Sequence, residues 1–294
     1  MIFAAGLGTR LKPLTDNKPK ALVELNGKTL LQWQIEKLKK AGITDIIVNV
    51  HHFADLIIDY LRENHHFGCN ITISDERDLL LDTGGGLRRC LDRYAERPPV
   101  GREPSLLKDR FAERPSFGLK DGILALNVDI LSNIDIRALV KAYEEDGISR
   151  LVVSDRPTSR YLLFDKERHL VGWTNVTTGE VRPQTMSAER PAVPERPGEA
   201  LKDRCAERPQ AMLAEGPADA AAPERLAFSG MQILSPHACA RLIYRKEKVF
   251  SLIDFYLDIC QEEILQAYVP EDYRMFDVGK FEHLSEAQAF AASL

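Results

Sequence analysis

The first half of the chain alternates short apolar runs with segments whose apolar residues recur at helical spacing. Apolar runs typical of buried strands occupy four segments: residues 2–5, 46–50, 71–74 and 123–130. Helical spacing is found between them, over residues 29–40 and 54–61. An alternation of strands and helices predicts a mostly parallel, Rossmann-like sheet flanked by helices, an α/β fold.

The pattern changes after residue 150. Four short segments rich in β-branched and aromatic residues follow: residues 151–153, 161–164, 169–173 and 226–234. They predict a smaller antiparallel or mixed layer. Helical patterns return at the end, with Ser235 as the expected N-cap before Pro236, then over residues 251–260 and 281–292. We predict a single domain over residues 1–294, with halves 1–150 and 151–294.

Two stretches do not follow either pattern. Residues 93–117 and 184–225 are rich in Pro, Glu, Arg and Ala and lack apolar periodicity, which predicts disordered insertions. The nine residues LKDRFAERP at 107–115 recur as LKDRCAERP at 201–209, with one difference. Because the copies are confined to these two breaks, we interpret them as insertions into surface loops rather than a repeat fold. A recognition arm is the alternative interpretation.

Composition and charge exclude several classes of protein. Of the 294 residues, 44% are hydrophobic and 28% are charged, as in ordinary globular proteins. A formal net charge of −5 leaves no general basic surface for nucleic acid or an anionic membrane. The five cysteines form no C-x-x-C pair, and no apolar run approaches a membrane span. We therefore expect a cytoplasmic protein that binds neither nucleic acid nor membrane.

The glycine-containing segment GLGTRL at residues 6–11 directly follows the first predicted strand. Backbone N–H groups at that place can converge on an anion. A dinucleotide fingerprint would need a glycine where Leu11 stands, and a Walker A loop ending at residues 27–29 would need one at Leu22. The following loop carries four cations: Arg10, Lys12, Lys18 and Lys20. For Lys12 and Lys18, a merely solvated charge is the simpler interpretation.

The segments AAGLGTRLKPLT at 4–15 and PKAL at 19–22 resemble the signature of the sugar-1-phosphate nucleotidylyltransferases, the NDP-sugar pyrophosphorylases. Three further segments resemble the same family in the expected order: LDTGGGL at 81–87, NVDI at 127–130 and FDVG at 276–279. The triple-glycine segment is most similar to the N-acetylmuramate-1-phosphate uridylyltransferase-like branch. Apart from the two insertions, the resemblance covers nearly the whole chain.

The resemblance implies the nucleotide-diphospho-sugar transferase fold, with residues 1–150 as the nucleotide-binding half and residues 151–294 as the sugar-binding half. It implies transfer of a nucleoside monophosphate from a nucleoside triphosphate, here UTP, to a sugar 1-phosphate such as N-acetylmuramate 1-phosphate, with release of pyrophosphate. A monomer or homodimer is expected. Three alternatives stay open: a mannose- or heptose-1-phosphate guanylyltransferase, a catalytically silent nucleotide-binding subunit, and a damaged gene product that does not fold.

Site residues follow from the same resemblance. The implied catalytic cations are Arg10, for the β- and γ-phosphates, and Lys20, for the α-phosphate. Nucleotide contacts are expected from Ala5, Gly6, Gly8, Thr9, Gly84, Gly85 and Gly86, the last three in a turn before a helix that starts near Leu87. Sugar contacts are expected from Gly230 and Glu180. Asp129 and Asp277 are expected to hold Mg²⁺; the simpler interpretations are that Asp129 caps a turn and Asp277 caps the final helix.

Overall fold

A computed structural model describes residues 1–96, 122–182, 222–279 and 283–294 of the chain. The strands in these ranges are β1 Ile2–Phe3, β2 Glu24–Leu25, β3 Lys28–Thr29, β4 Asp45–Val50, β5 Asn70–Asp75, β6 Ile123–Asn127, β7 Ile130–Ser132, β8 Ser149–Ser154, β9 Arg160–Phe164, β10 Leu170–Asn175, β11 Glu180–Arg182, β12 Glu224–Leu234, β13 Leu265–Tyr268 and β14 Met275–Asp277. The helices are α1 Leu30–Lys40, α2 Ala54–Glu63, α3 Asp82–Glu96, α4 Ile136–Asp146, α5 Pro236–Ile243, α6 Leu252–Ile259 and α7 Leu284–Ala291. None of these helices is both long and apolar enough to cross a bilayer.

One large sheet forms the centre of the molecule, with strands in the order β11, β10, β9, β12, β6, β1, β4, β5. The strands β6, β1, β4 and β5 are parallel to one another, as the alternation of strands and helices predicts. The predicted antiparallel strands are also present. They continue the same sheet, because the long strand β12 pairs with β9 at one end and with β6 at the other. The predicted α/β fold is confirmed.

Helices cover both faces of this sheet, and the alternation of side chains along each strand supplies both cores. Ile2 and Leu126 point into the core shared with α1, α2, α4 and α7. Their neighbours Phe3 and Ala125 point into the opposite core, which α3, α5 and α6 cover. Strands buried on both faces have continuous apolar sequences, which explains the runs seen at 46–50 and 123–127.

The apolar run over residues 123–130 is not one strand. Strand β6 ends at Asn127, and β7 begins at Ile130 after a turn that contains Asp129. Within this turn the backbone changes partners: Val128 N–H donates to Phe3 of β1 at 3.1 Å, whereas the Asp129 carbonyl accepts from Val278 N–H at 2.9 Å. A contact with a distant segment therefore ends the strand, and the local apolar pattern does not record it.

The expectation that the three glycines form a turn before a helix starting near Leu87 is wrong, because α3 begins at Asp82. All three glycines are buried within its first turns. A Cβ atom on Gly84 would collide with the Phe250 ring, and one on Gly85 would collide with the Lys248 carbonyl. The N–H groups of Gly84 and Gly85 donate to the Phe250 carbonyl at 2.9 and 3.2 Å. Close packing against this segment outweighs the low helix propensity of glycine.

Replacing Gly85 by alanine tests this explanation, because close packing and helix propensity predict opposite changes in the free energy of unfolding. Glycine to alanine in an unobstructed helix stabilises by about 1 kcal/mol, whereas here we expect a loss of about 1–3 kcal/mol, since the new methyl group meets a backbone carbonyl. Chemical denaturation measures the free energy of unfolding. Gly6→Ala is the control, because its Cβ would meet no atom within 4 Å. A more stable Gly85→Ala protein would contradict the packing explanation.

Both predicted insertions need corrected boundaries. Helix α3 continues to Glu96, so the first four residues of the segment 93–117 are helical. Strand β12 begins at Glu224, so the last two residues of the segment 184–225 pair with β9. The polar composition of residues 224 and 225 predicted a loop, but their pairing with β9 makes them part of a strand. Residues 97–117 and 184–221, including both copies of the repeated nine, lie outside the described residues. The final helix, predicted over 281–292, spans Leu284–Ala291.

Candidate active site

A cleft of 280 Å³ opens at the carboxyl ends of β1 and β6. In open α/β sheets, ligands bind at this edge of the strands. The cleft is lined by Phe3, Ala4, Gly6, Gly8, Thr9, Arg10, Lys20, Thr83, Asn127, Val128, Asp129 and Gly279. The glycine loop, the cationic loop that follows it and the turn after β6 thus share one cavity, as the sequence predicts.

The glycine loop is held against the cationic loop by Gly8. Its φ of 65° lies in the left-handed region, which favours glycine. A Cβ at this position would lie 3.0 Å from Thr15 Cγ2 and 3.1 Å from Lys20 Cβ. The Gly8 carbonyl accepts from Leu11 N–H and from the Thr15 hydroxyl, both at 2.9 Å. Glycine at position 8 therefore allows the loop to pass directly over Lys20.

Lys20 carries its positive charge into the interior of the cleft. The residue is 8% exposed and lies at the start of a short 3₁₀ turn over Lys20–Leu22. Its ammonium group forms an ion pair with the carboxylate of Asp129. Because an ammonium group with so little access to water needs a charged or hydrogen-bonding partner, Asp129 stabilises Lys20 in the absence of substrate.

Asp129 and Asp277 lie side by side, although they are far apart in the sequence. Strands β7 and β14 pair so that Asp277 is opposite Ile130, the residue after Asp129. Partial burial and the negative charge of Asp129 raise the pKa of Asp277, and the cations Lys20 and Arg10 oppose that shift. A Cβ on Gly279 would lie 2.6 Å from Asp277 Oδ1 and 3.1 Å from Arg10 Nη2. Arg10 therefore reaches the same corner of the site.

The two carboxylates fit the donor set that Mg²⁺ uses in proteins. Mg²⁺ binds through one or two carboxylates and keeps further positions for water and substrate phosphates. Within the described ranges, no group of three or more His, Cys, Asp or Glu side chains forms a closed metal site. The raised pKa of Asp277 reflects in part repulsion between two carboxylates, which a divalent cation would relieve. The residues present thus suit a cation shared with phosphate.

The simpler interpretation of Asp277 is wrong. Asp277 ends strand β14, and the N-cap position of α7 belongs to His283. Asp129 does lie in a turn, but its side chain pairs with Lys20. The structure therefore brings Arg10, Lys20, Asp129 and Asp277 together, and their roles toward a ligand stay predictions.

The buried glycines of α3 contribute to the site through packing. Thr83, one residue earlier, lines the cleft. A Cβ on Gly86 would lie 2.7 Å from Glu76 Oε1, and Glu76 accepts from Asn49 Nδ2 at 2.8 Å. Asn49 in turn accepts from Ala4 N–H at 2.7 Å. This buried chain joins the glycine loop to α3, and burial raises the pKa of Glu76. Sequence analysis missed it, although Asn49 is a polar residue in an apolar strand.

The two predicted sugar-contacting residues are placed differently. Gly230, with a φ of 68°, lies where the pairing register of β12 shifts. A Cβ there would lie 3.0 Å from Asn127 Nδ2, so glycine lets β12 approach the end of β6. Glu180 lies on β11, the outermost strand of the sheet, where it pairs with Arg182 at 3.4 Å. It is not among the residues that line the cleft.

Arg156 is a further cation that sequence analysis did not find. It follows β8, and its Nη2 donates to the Phe228 carbonyl at 3.1 Å. Its positive charge opposes the rise in the pKa of Asp277, which places it on the side of the carboxylate pair next to β12. A single arginine after a strand carries no motif, so only the folded chain reveals its proximity.

Comparisons with known proteins agree with this geometry. Residues 1–97 match the family model described as nucleotidyl transferase. The chain is 47% identical over 100 residues to N-acetylmuramate alpha-1-phosphate uridylyltransferase of Caulobacter vibrioides, covering 33% of this chain and 41% of that protein. It is 35% identical over 138 residues to the Neisseria meningitidis protein of the same name, covering 47% of this chain and 49% of that protein.

The chain thus spans less than half the length of these two relatives. It is also 44% identical over 93 residues to a mannose-1-phosphate guanyltransferase of Neurospora crassa, covering 31% of this chain and 25% of that protein. The resemblance to sugar-1-phosphate nucleotidylyltransferases, in the N-acetylmuramate branch, is confirmed, and the matches support the predicted enzyme class. The fold matches the crystal structure of HddC from Yersinia pseudotuberculosis complexed with GMP-PN, with a TM-score of 0.61 and 18% sequence identity. The match covers 99% of this chain and 97% of that chain.

Proposed function

We propose that this chain transfers a nucleoside monophosphate from a nucleoside triphosphate to a sugar 1-phosphate, with release of pyrophosphate. The observation that carries the proposal is the convergence of the glycine loop, Arg10, Lys20 and Asp129 on one cleft at the carboxyl ends of β1 and β6, with Asp277 beside Asp129. The proposal takes the chain as one domain, with the nucleotide bound by residues 1–150 and the sugar by residues 151–294.

The chemistry needs charge compensation more than proton transfer. A phosphate monoester has a second pKa of about 6, so the attacking oxygen is ionised at neutral pH without a general base. Two polyanions must still be brought together while charge builds up on the leaving pyrophosphate. The cleft supplies the exposed Arg10 at its rim, the enclosed Lys20 and the N–H groups of the glycine loop. Each is suited to hold phosphate oxygens.

Arg10 is assigned to the β- and γ-phosphates and Lys20 to the α-phosphate, as the family resemblance implies. The Arg10 guanidinium lies at the Gly279 corner, beside Asp277, and the Lys20 ammonium group lies at Asp129. Asp129 and Asp277 would hold Mg²⁺. When bound, the cation would neutralise phosphate charge and favour expulsion of pyrophosphate. As substrate phosphate enters, the Lys20 ammonium can exchange part of its contact with Asp129 for a phosphate oxygen.

The choice of base and sugar rests on the relatives. Two of the relatives above are named as uridylyltransferases for N-acetylmuramate 1-phosphate, which favours UTP and that sugar phosphate. The second candidate is a mannose- or heptose-1-phosphate guanylyltransferase, and the guanyltransferase relative favours it. The five scattered cysteines, with no C-x-x-C pair, also favour a cytoplasmic enzyme. We propose that it acts as a monomer or homodimer.

A substrate panel tests the proposal. UTP, GTP, CTP and dTTP are each combined with N-acetylmuramate, N-acetylglucosamine, mannose and heptose 1-phosphates, and pyrophosphate release is measured with Mg²⁺ and with EDTA. We expect the fastest release with UTP and N-acetylmuramate 1-phosphate, and none with EDTA. GTP with mannose or heptose 1-phosphate as the best pair would favour the second candidate. Folded protein that binds a triphosphate but releases no pyrophosphate in any combination would favour the silent subunit.

A further inference from the structure

A buried glutamine on helix α1 contacts the turn that carries Asp129. Gln34 is 0% exposed, and its side-chain amide points at the turn between β6 and β7. Nε2 donates to the Ile130 carbonyl at 2.8 Å and to the Val128 carbonyl at 3.3 Å. Gln34 therefore holds the residues immediately before and after Asp129.

The remaining carbonyl of this turn is held from the opposite side. The Asp129 carbonyl accepts from Val278 N–H at 2.9 Å, and Val278 directly follows Asp277. Three consecutive carbonyls, those of residues 128–130, thus accept hydrogen bonds from two different elements. The same hydrogen bond and the pairing of β7 with β14 join Asp129 to Asp277. A shift of the turn away from its position on α1 would strain these two contacts and so change the separation of Asp129 from Asp277.

The cost of burying Gln34 indicates that its amide group is used. Its Oε1 is buried and has no hydrogen-bond partner among the described residues. An unsatisfied buried acceptor destabilises the fold, and an apolar side chain of similar size would avoid that penalty. Packing alone would therefore favour methionine or leucine at this position. The two hydrogen bonds to the Asp129 turn are what distinguishes glutamine from those residues.

A second tether shows why Gln34 in particular controls the turn. Lys37, one helical turn later, donates from Nζ to the Ser132 carbonyl at 2.5 Å and to the Ser132 hydroxyl at 3.0 Å. This contact holds the far end of β7 against α1. Since β7 is already fixed at Ser132, loss of the Gln34 contacts would release the turn at Asp129 without detaching the strand.

We propose that Gln34 is a positioning residue that sets the separation of the Asp129 and Asp277 carboxylates, and through it their affinity for a divalent cation. The proposal rests on the proposed function for the identity of the carboxylate pair. Partners that orient metal-binding side chains commonly change metal affinity by about 10–100-fold when they are removed. Gln34 changes metal affinity indirectly, because it holds the backbone on both sides of Asp129.

Gln34→Met tests the proposal, with Gln32→Met as the matched control. Gln32 lies on the same helix, and its amide contacts Glu36 and Tyr60 rather than the turn. Two measurements do not depend on turnover: the dissociation constant for Mn²⁺, from electron paramagnetic resonance, and the hydrogen exchange rate of the Val278 amide. For Gln34→Met we expect about 10-fold weaker Mn²⁺ binding and about 10-fold faster exchange at Val278. For Gln32→Met both values should stay within about twofold of the wild type.

A Gln34→Met protein that matches the wild type in both measurements overturns the proposal. If that variant does not fold, Gln34→Asn is measured instead, because it keeps the amide but withdraws it by one methylene, and the same two changes are expected. Wild-type protein that binds no Mn²⁺ would also overturn it. If no combination in the substrate panel releases pyrophosphate, the proposed function is wrong. Mn²⁺ binding and Val278 exchange still test the role of Gln34 in that case. If the wild type is active in the substrate panel but Gln34→Met matches it in Mn²⁺ binding and in Val278 exchange, the proposed function stands and only the role of Gln34 is contradicted.

Discussion

Asp129→Asn should reduce the rate of metal-dependent pyrophosphate release by roughly 10³-fold at saturating substrate. Asparagine keeps the shape of the side chain but removes the negative charge that faces Lys20 and lies beside Asp277. The site then loses one of the two carboxylates assigned to the cation. Raising the Mg²⁺ concentration should restore only part of the rate. Pyrophosphate release followed across a Mg²⁺ titration measures both effects.

The substitution has a structural cost that must be separated from the catalytic one. Lys20 is 8% exposed, so removal of its charged partner should lower the free energy of unfolding by about 1–3 kcal/mol. Thermal unfolding of the variant shows whether it is folded at the assay temperature. Asp59→Asn is the control, since Asp59 pairs with Arg62 on the exposed face of α2. An Asp129→Asn protein with near-normal turnover would remove the cation assignment.

Arg10→Ala should lower kcat by about 10²-fold, with little change in stability. Arg10 is exposed at the rim of the cleft, so its removal leaves no cavity in the core. Its guanidinium lies beside Gly279 and Asp277, where it can hold the departing phosphates. Because that charge develops mainly in the transition state, kcat should fall more than KM for the triphosphate rises. Steady-state kinetics with varied triphosphate separates the two.

Lys12→Ala is the matched control for Arg10→Ala. Lys12 belongs to the same loop and also carries one positive charge, but it is exposed and pairs with Asp16 at 3.3 Å. Surface ion pairs of this kind contribute little, so kcat should stay within about twofold. If both variants lose activity equally, the total charge of the loop matters rather than the place of Arg10. That result would contradict the assignment of Arg10 to the phosphates.

Local patterns predicted the helices and strands well where the signal is short in range. Helix α1 begins after Thr29, whose hydroxyl accepts from Gln32 N–H at 3.0 Å, and α5 begins after the expected N-cap Ser235. Both caps depend on residues three apart, so the sequence shows them directly. The same approach was wrong for α3, where glycines suggested a turn. Gly84 and Gly85 pack against Phe250 and Lys248, a segment more than 160 residues away along the chain, since 248 − 85 is 163.

The residues predicted for the candidate site also differ in whether the structure brings them together. Arg10, Lys20, Asp129 and Asp277 were predicted from their motifs, and the structure places them together. Glu180 was expected from the family resemblance to contact the sugar, and it lies on the outermost strand instead of at the cleft. Its position is decided by how β11 pairs with β10, which the motif-based prediction did not include.

The amino-acid sequence by itself determined the α/β fold and the glycine loop after β1, and its short motifs predicted Arg10, Lys20, Asp129 and Asp277, because each depends on residues close together along the chain. The tertiary structure alone decided how those groups are supported. Gln34 meets Val128 across 94 residues, and Asn49 meets Glu76 across 27. Such contacts depend on which strands become neighbours and on the register between them. Neither is encoded in local periodicity, so the supporting residues become visible only once the chain is folded.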